Sequence, residues 1–150
     1  MESVLTRVYR GDWPAKLWLR WPRAARVVCV RHELAWLAPH SKPLRVAYVS
    51  DLHLGPTTPE PLLEAAFAEL TQARPDVLLL GGDYVFLEAT RQKALRLAEL
   101  IERVPAARKL AVMGNHDLWT HHGLLEDGLT QAGVELIVNR SVRLGALCEE

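Results

Sequence analysis

The chain has 150 residues with 18 basic and 18 acidic side chains, so its formal net charge is zero. A 49% hydrophobic and 24% charged composition is that of a globular chain long enough to bury a core, and it excludes disordered, collagenous and disulfide-scaffold classes. The balanced charge also argues against coating nucleic acid, and the two cysteines, Cys29 and Cys148, form no CxxC pair. The zero conceals an asymmetry, because residues 1–50 carry nine Lys/Arg against three Asp/Glu and residues 51–150 carry nine against fifteen. Arginines interrupt every apolar run before it reaches the roughly 18 residues of a membrane span. No signal peptide is legible, so the expected address is the cytoplasm.

In chain order, the first forty residues are basic and tryptophan-rich: Trp13, Trp18, Trp21 and Trp36 stand among Arg7, Arg10, Lys16, Arg20, Arg23, Arg26 and Arg31. Pro14 and Pro22 exclude one long helix, leaving a short turn around Ala15–Trp21. Residues 26–31 (RVVCVR) read as a strand from their β-branched content. Pro39 and Pro43 bracket a linker. The expected division is therefore a basic arm and linker over 1–43 and a partial catalytic-type domain over 44–150. The arm is expected to pack its tryptophans on the domain with its arginines in water. The alternative is contact with an anionic membrane surface, which would make the protein membrane-peripheral.

From residue 44 the pattern is regular. Residues 44–50 (LRVAYVS) form an apolar run with a polar end, as a buried strand requires. Pro59 and Pro61 open a helix with Leu62, Leu63, Ala66, Phe67 and Leu70 at helical spacing. Residues 76–80 (DVLLL) form a second strand ending at Gly81-Gly82-Asp83. A helix from about Glu88 to Val104 follows, stopped by Pro105. Residues 109–113 (KLAVM) form a third strand ending at Gly114-Asn115-His116-Asp117. A helix over about Gly123–Ala132 is capped by Gly133, and residues 134–138 and 141–147 read as two short strands. The alternation defines a layered α/β fold.

Three strands thus end in polar clusters: Ser50-Asp51-Leu52-His53, Gly82-Asp83 and Gly114-Asn115-His116-Asp117. Right-handed crossovers make the strands parallel, so the clusters converge at one sheet edge, where ligands of open α/β sheets bind. Carboxylates, imidazoles and an amide suit Mn, Fe, Zn or similar ions, and no thiolate is near. Asp51 and His53 alternate by two, so on an extended backbone both point to one side. Gly81 and Gly82 permit a sharp turn that frees the Asp83 carboxylate to touch two ions. Two ions about 3.5–4 Å apart with a metal-activated water are a device for phosphoester hydrolysis. Ser50 supports the turn, and His121 and His122 sit at the solvated start of a helix.

DLH at 51–53, GGD at 81–83 and GNHD at 114–117, each after a buried strand, resemble the calcineurin-like metallophosphoesterase superfamily, over roughly residues 44–147. The wording is most similar to its bacterial predicted phosphohydrolase branch. The resemblance implies the N-terminal half (βαβαβαβ) of a layered αββα fold behind the basic arm, and a metal-dependent phosphomonoesterase or phosphodiesterase. It implies that Asp51 and His53 bind a first divalent ion, that Asp83 bridges two and that Asn115 binds the second. It implies that His116 contacts the phosphate and helps protonate the leaving group, and that Asp117 orients His116. The family draws further histidines from later motifs, whereas no histidine follows His122 here. The expectation is a C-terminally truncated member with an incomplete second metal site. Its rivals are an inactive remnant or pseudoenzyme, a half-domain completed by a second chain or protomer, and a membrane-surface module.

Overall fold

The computed structural model describes residues 2–21, 26–35, 41–144 and 147. Two short helices come first, α1 (Glu2–Val8) and α2 (Trp13–Trp18). Then β1 (Val46–Val49), α3 (Glu60–Ala73), β2 (Val77–Leu80), α4 (Arg91–Glu102) and β3 (Arg108–Ala111) alternate. They are followed by α5 (Asn115–Leu118), α6 (His122–Gln131) and β4 (Glu135–Leu136). The sheet is wholly parallel in the order β1-β2-β3-β4, with Tyr48 beside Leu79 and Leu79 beside Leu110. This is the expected strand–helix alternation of the N-terminal half of a metallophosphoesterase fold.

The long helices cover one face. Leu63 and Phe67 of α3, Leu97 and Ile101 of α4, and Leu125 and Leu129 of α6 join Leu78, Leu80 and Ala111 of the sheet in one buried cluster. Phe67 is wholly enclosed, a burial worth about 1.5–3 kcal/mol. Helices α4 and α6 meet closely through Gly128, where a Cβ would stand 2.9 Å from the Ala94 carbonyl oxygen. On the opposite face the edge strand β1 exposes Val46 and Tyr48.

Several local readings shift. Helix α4 begins at Arg91 rather than near Glu88, because the Thr90 hydroxyl caps it by accepting from the Lys93 amide at 3.3 Å. Residues 114–117 are not only a loop. Asn115–Leu118 form the short helix α5, and the Asp117 carboxylate accepts the Gly114 amide at 2.9 Å. Residues 26–35 and 141–144 form no strand. β-branched residues do not make a strand without a neighbour to pair with, and the four-stranded sheet offers them none. Pro22, Arg23, Trp36, Pro39 and Cys148 lie outside the described residues.

Candidate metal centre

The three polar clusters converge because the sheet ladder continues beyond its strands. The amides of Asp51, His53 and Leu54 donate to the carbonyls of Gly82, Asp83 and Tyr84 at 3.0, 3.0 and 2.7 Å. Gly82, at φ +90°, runs so close to the third loop that a Cβ there would stand 2.5 Å from the Gly114 amide nitrogen. A Cβ on Gly114 would strike the Asp83 carboxylate in turn. Glycine is therefore required at both positions for the second and third clusters to touch.

Ligand atoms of His53, Asp83 and His116 lie within 4.8 Å of one another, and all three residues are half-buried. The His53 and His116 rings meet edge-on, with centroids 4.9 Å apart. Asp83 is aimed by the His116 backbone, whose amide donates to Asp83 Oδ1 at 3.0 Å. His53 Nδ1 is buried and has no hydrogen-bond partner. A buried imidazole nitrogen is ordinarily satisfied, so an unpartnered one on a histidine beside a carboxylate and a second imidazole fits a metal ligand. Asp51 lies at the rim, 65% exposed, with Oδ1 3.8 Å from His53 Nε2. Asn115 is exposed at the start of α5.

The backbone departs from the extended geometry expected for Asp51 and His53. Their φ angles are 56° and 45°, and Asp83 has 54°, all in the left-handed region. Aspartate and histidine tolerate this region better than most residues, yet each such position still costs on the order of 1–3 kcal/mol unless its surroundings enforce it. The enforcement here is the continued ladder. The strand rule fails because the chain turns sharply as soon as it leaves β1.

Asp117 also differs from expectation. Its side chain is wholly buried, and Oδ1 accepts the Tyr84 and Val85 amides at 2.8 and 3.2 Å while Oδ2 accepts that of Gly114. The three hydrogen bonds of this carboxylate thus come from backbone rather than from the His116 imidazole. A buried carboxylate facing three amide donors is drawn to them because nothing else there satisfies them. Burial raises its pKa, against the lowering by those amides. The residue ties the second motif loop to the third.

Reading the sequence did not single out the aromatic wall. Phe86 packs against both His53 and His116, at ring distances of 6.0 and 5.9 Å, and Trp119 stands 5.6 Å from His116. Buried Tyr84 donates its hydroxyl to the Leu80 and Val112 carbonyls at 3.1 and 2.7 Å, bracing β2 against β3. The signal was present as Tyr84 and Phe86 directly after GGD. His121 and His122 are exposed at the start of α6, outside the cluster.

These parallel strand ends with clustered oxygen and imidazole donors define a metallophosphoesterase-type centre. The family model described as Calcineurin-like phosphoesterase matches residues 44–142, and the chain belongs to that family. It is 29% identical to Phosphodiesterase YaeI of Escherichia coli over 115 residues, spanning 75% of this chain and 43% of that protein. An uncharacterized metallophosphoesterase of Aquifex aeolicus is 27% identical over 71% of this chain and 40% of its own length. UDP-2,3-diacylglucosamine pyrophosphatase LpxG of Chlamydia trachomatis is 31% identical over 67% of this chain and 30% of its own length. The chain therefore spans less than half the length of these relatives. No solved structure gives a significant match.

Proposed function

We propose that the chain contributes to metal-dependent hydrolysis of a phosphoester, with residues 44–150 as the partial catalytic domain and residues 1–43 as its basic arm. The carrying observation is the convergence of ligand atoms of His53, Asp83 and His116 within 4.8 Å of one another, on a His53 ring whose buried Nδ1 has no hydrogen-bond partner. Relatives named as a phosphodiesterase and a pyrophosphatase support the same chemistry. Asp51 and His53 would hold a first divalent ion, Asp83 would be shared, and Asn115 would serve a second. Bound divalent ions supply Lewis-acid polarisation of phosphoryl oxygen and of the attacking water. His116 faces the shared space and would bind the phosphate and deliver a proton to the leaving oxygen. Asp117 would act indirectly by holding the loop that presents His116. Phe86 packs against both imidazoles and Trp119 stands against that of His116.

The test uses the full chain, with bound metal measured directly and bis-p-nitrophenyl phosphate hydrolysis assayed with added Mn²⁺. Metal binding and turnover are expected in the parent, with loss of both in Asp83→Asn. Equal hydrolysis by parent and variant refutes the assignment. Metal binding without turnover favours a remnant or a half-domain that needs a second chain, and size measurement after mixing with a partner fragment distinguishes these.

A further inference from the structure

The arm does not hide its tryptophans. Trp13, Trp18 and Trp21 are 50, 56 and 72% exposed. Leu17 on α2 and Val4 and Val8 on α1 are exposed as well, and among the residues of 2–21 whose burial is described only Ala15 is buried. Arg7, Arg10, Lys16 and Arg20 stand exposed among these apolar side chains. A packed structural arm would show the reverse, with rings inside and only charges in water.

The prolines do not prevent a surface-active element. Pro14 occupies the first turn of α2, where its missing amide proton is no loss, so the arm becomes two short helices rather than a broken long one. The Trp13 indole Nε1 donates to the Val8 carbonyl at 2.9 Å, which joins the helices and satisfies the ring's only donor. Such a ring can enter an apolar boundary without stranding a polar group. The arm is fixed to the domain at the Ala15 amide, which donates to the Pro56 carbonyl at 2.9 Å. It is also fixed by Tyr9, packed edge-on against Phe86 at 5.7 Å. No helix among the described residues is long and apolar enough to cross a membrane.

We propose that the segment carrying α1 and α2 docks on an anionic lipid bilayer, with the tryptophans at the headgroup boundary and the basic side chains on lipid phosphates. Charge complementarity selects this occupant: apolar rings interleaved with cations match an interface that is apolar below and negative above. Two alternating helices of this size lie in the interface rather than span it. Because Phe86 touches both Tyr9 and the two site imidazoles, docking would hold the candidate metal centre next to the bilayer.

The test is co-sedimentation of the full chain with vesicles of phosphatidylcholine, alone or mixed with phosphatidylglycerol, read together with tryptophan emission. Binding to the mixed vesicles at low salt is expected, with a blue shift, weaker binding at high salt and little binding to phosphatidylcholine alone. Combining Trp13→Ser, Trp18→Ser and Trp21→Ser should abolish it. Each of Arg7→Gln, Lys16→Gln and Arg20→Gln should lower partitioning roughly fivefold while keeping the rings. No pelleting with the mixed vesicles at low salt overturns the proposal. So does pelleting that the tryptophan and charge variants leave unchanged. A vesicle-free dimer that the tryptophan variant converts to monomer also overturns it, assigning the surface to a second copy. The readout needs no catalysis, so it stands or falls apart from phosphoester hydrolysis.

Discussion

Truncating Asp117 to alanine leaves three backbone donors facing a gap, and two of them, on Tyr84 and Val85, are buried. An unsatisfied buried donor costs about 1–3 kcal/mol, and removing a desolvated charge returns part of that. The expected net loss is about 3 kcal/mol for Asp117→Ala. Asp117→Asn keeps an acceptor for Tyr84 and Val85 but turns an NH₂ toward the Gly114 amide, for a loss of about 1–2 kcal/mol. With a urea dependence of about 1–3 kcal/mol/M for a small domain, the alanine variant should unfold roughly 1–3 M earlier. Hydrogen exchange gives the local readout, because the Tyr84, Val85 and Gly114 amides should lose protection before the core of α4. If Asp117→Ala unfolds within about 0.5 kcal/mol of the parent and those amides stay protected, the carboxylate does not tie the loops, and a direct action on His116 regains its place.

Phe67→Ala removes a wholly enclosed ring from between α3 and the sheet and should cost about 3–5 kcal/mol by urea unfolding. Gly128→Ala places a Cβ 2.9 Å from the Ala94 carbonyl oxygen and should cost about 1–3 kcal/mol, measured by thermal melting, since the obstacle is helix backbone. Glu64 pairs with Arg103 and Arg96, which hold its pKa below the ordinary 4.5. A depressed carboxylate pKa contributes stability that is present above 4.5 and lost as the pH falls through the folded value, so Glu64→Gln should flatten the stability profile in that acid range. An unchanged profile in the variant would show that these exposed pairs carry no net stability.

Much of the architecture was written in local patterns. Residues 77–80 could only be a buried strand, since four consecutive apolar positions offer no polar face, and the prolines at 59, 61 and 105 bounded two helices. The segment at 26–31 has the β-branched content of a strand but no partner among the described residues, and neither has 141–144, since pairing is not a property of one segment. The metal-ligand types were legible because GGD and GNHD place donors directly after strands.

By itself, the sequence determined the alternation of strands and helices and the meeting of three polar loops at one edge, because hydrophobic period and chain breakers act within a few residues. Only the tertiary structure decided how those loops finish. Hydrogen bonds between loops hold Asp51, His53 and Asp83 in left-handed conformations that no strand rule predicts. Three amides from two loops claim Asp117, and the anchoring of the Ala15 amide on the Pro56 carbonyl leaves the tryptophans outside. Each outcome depends on atoms brought together from distant parts of the chain, and the free energy of their contact is set by that meeting.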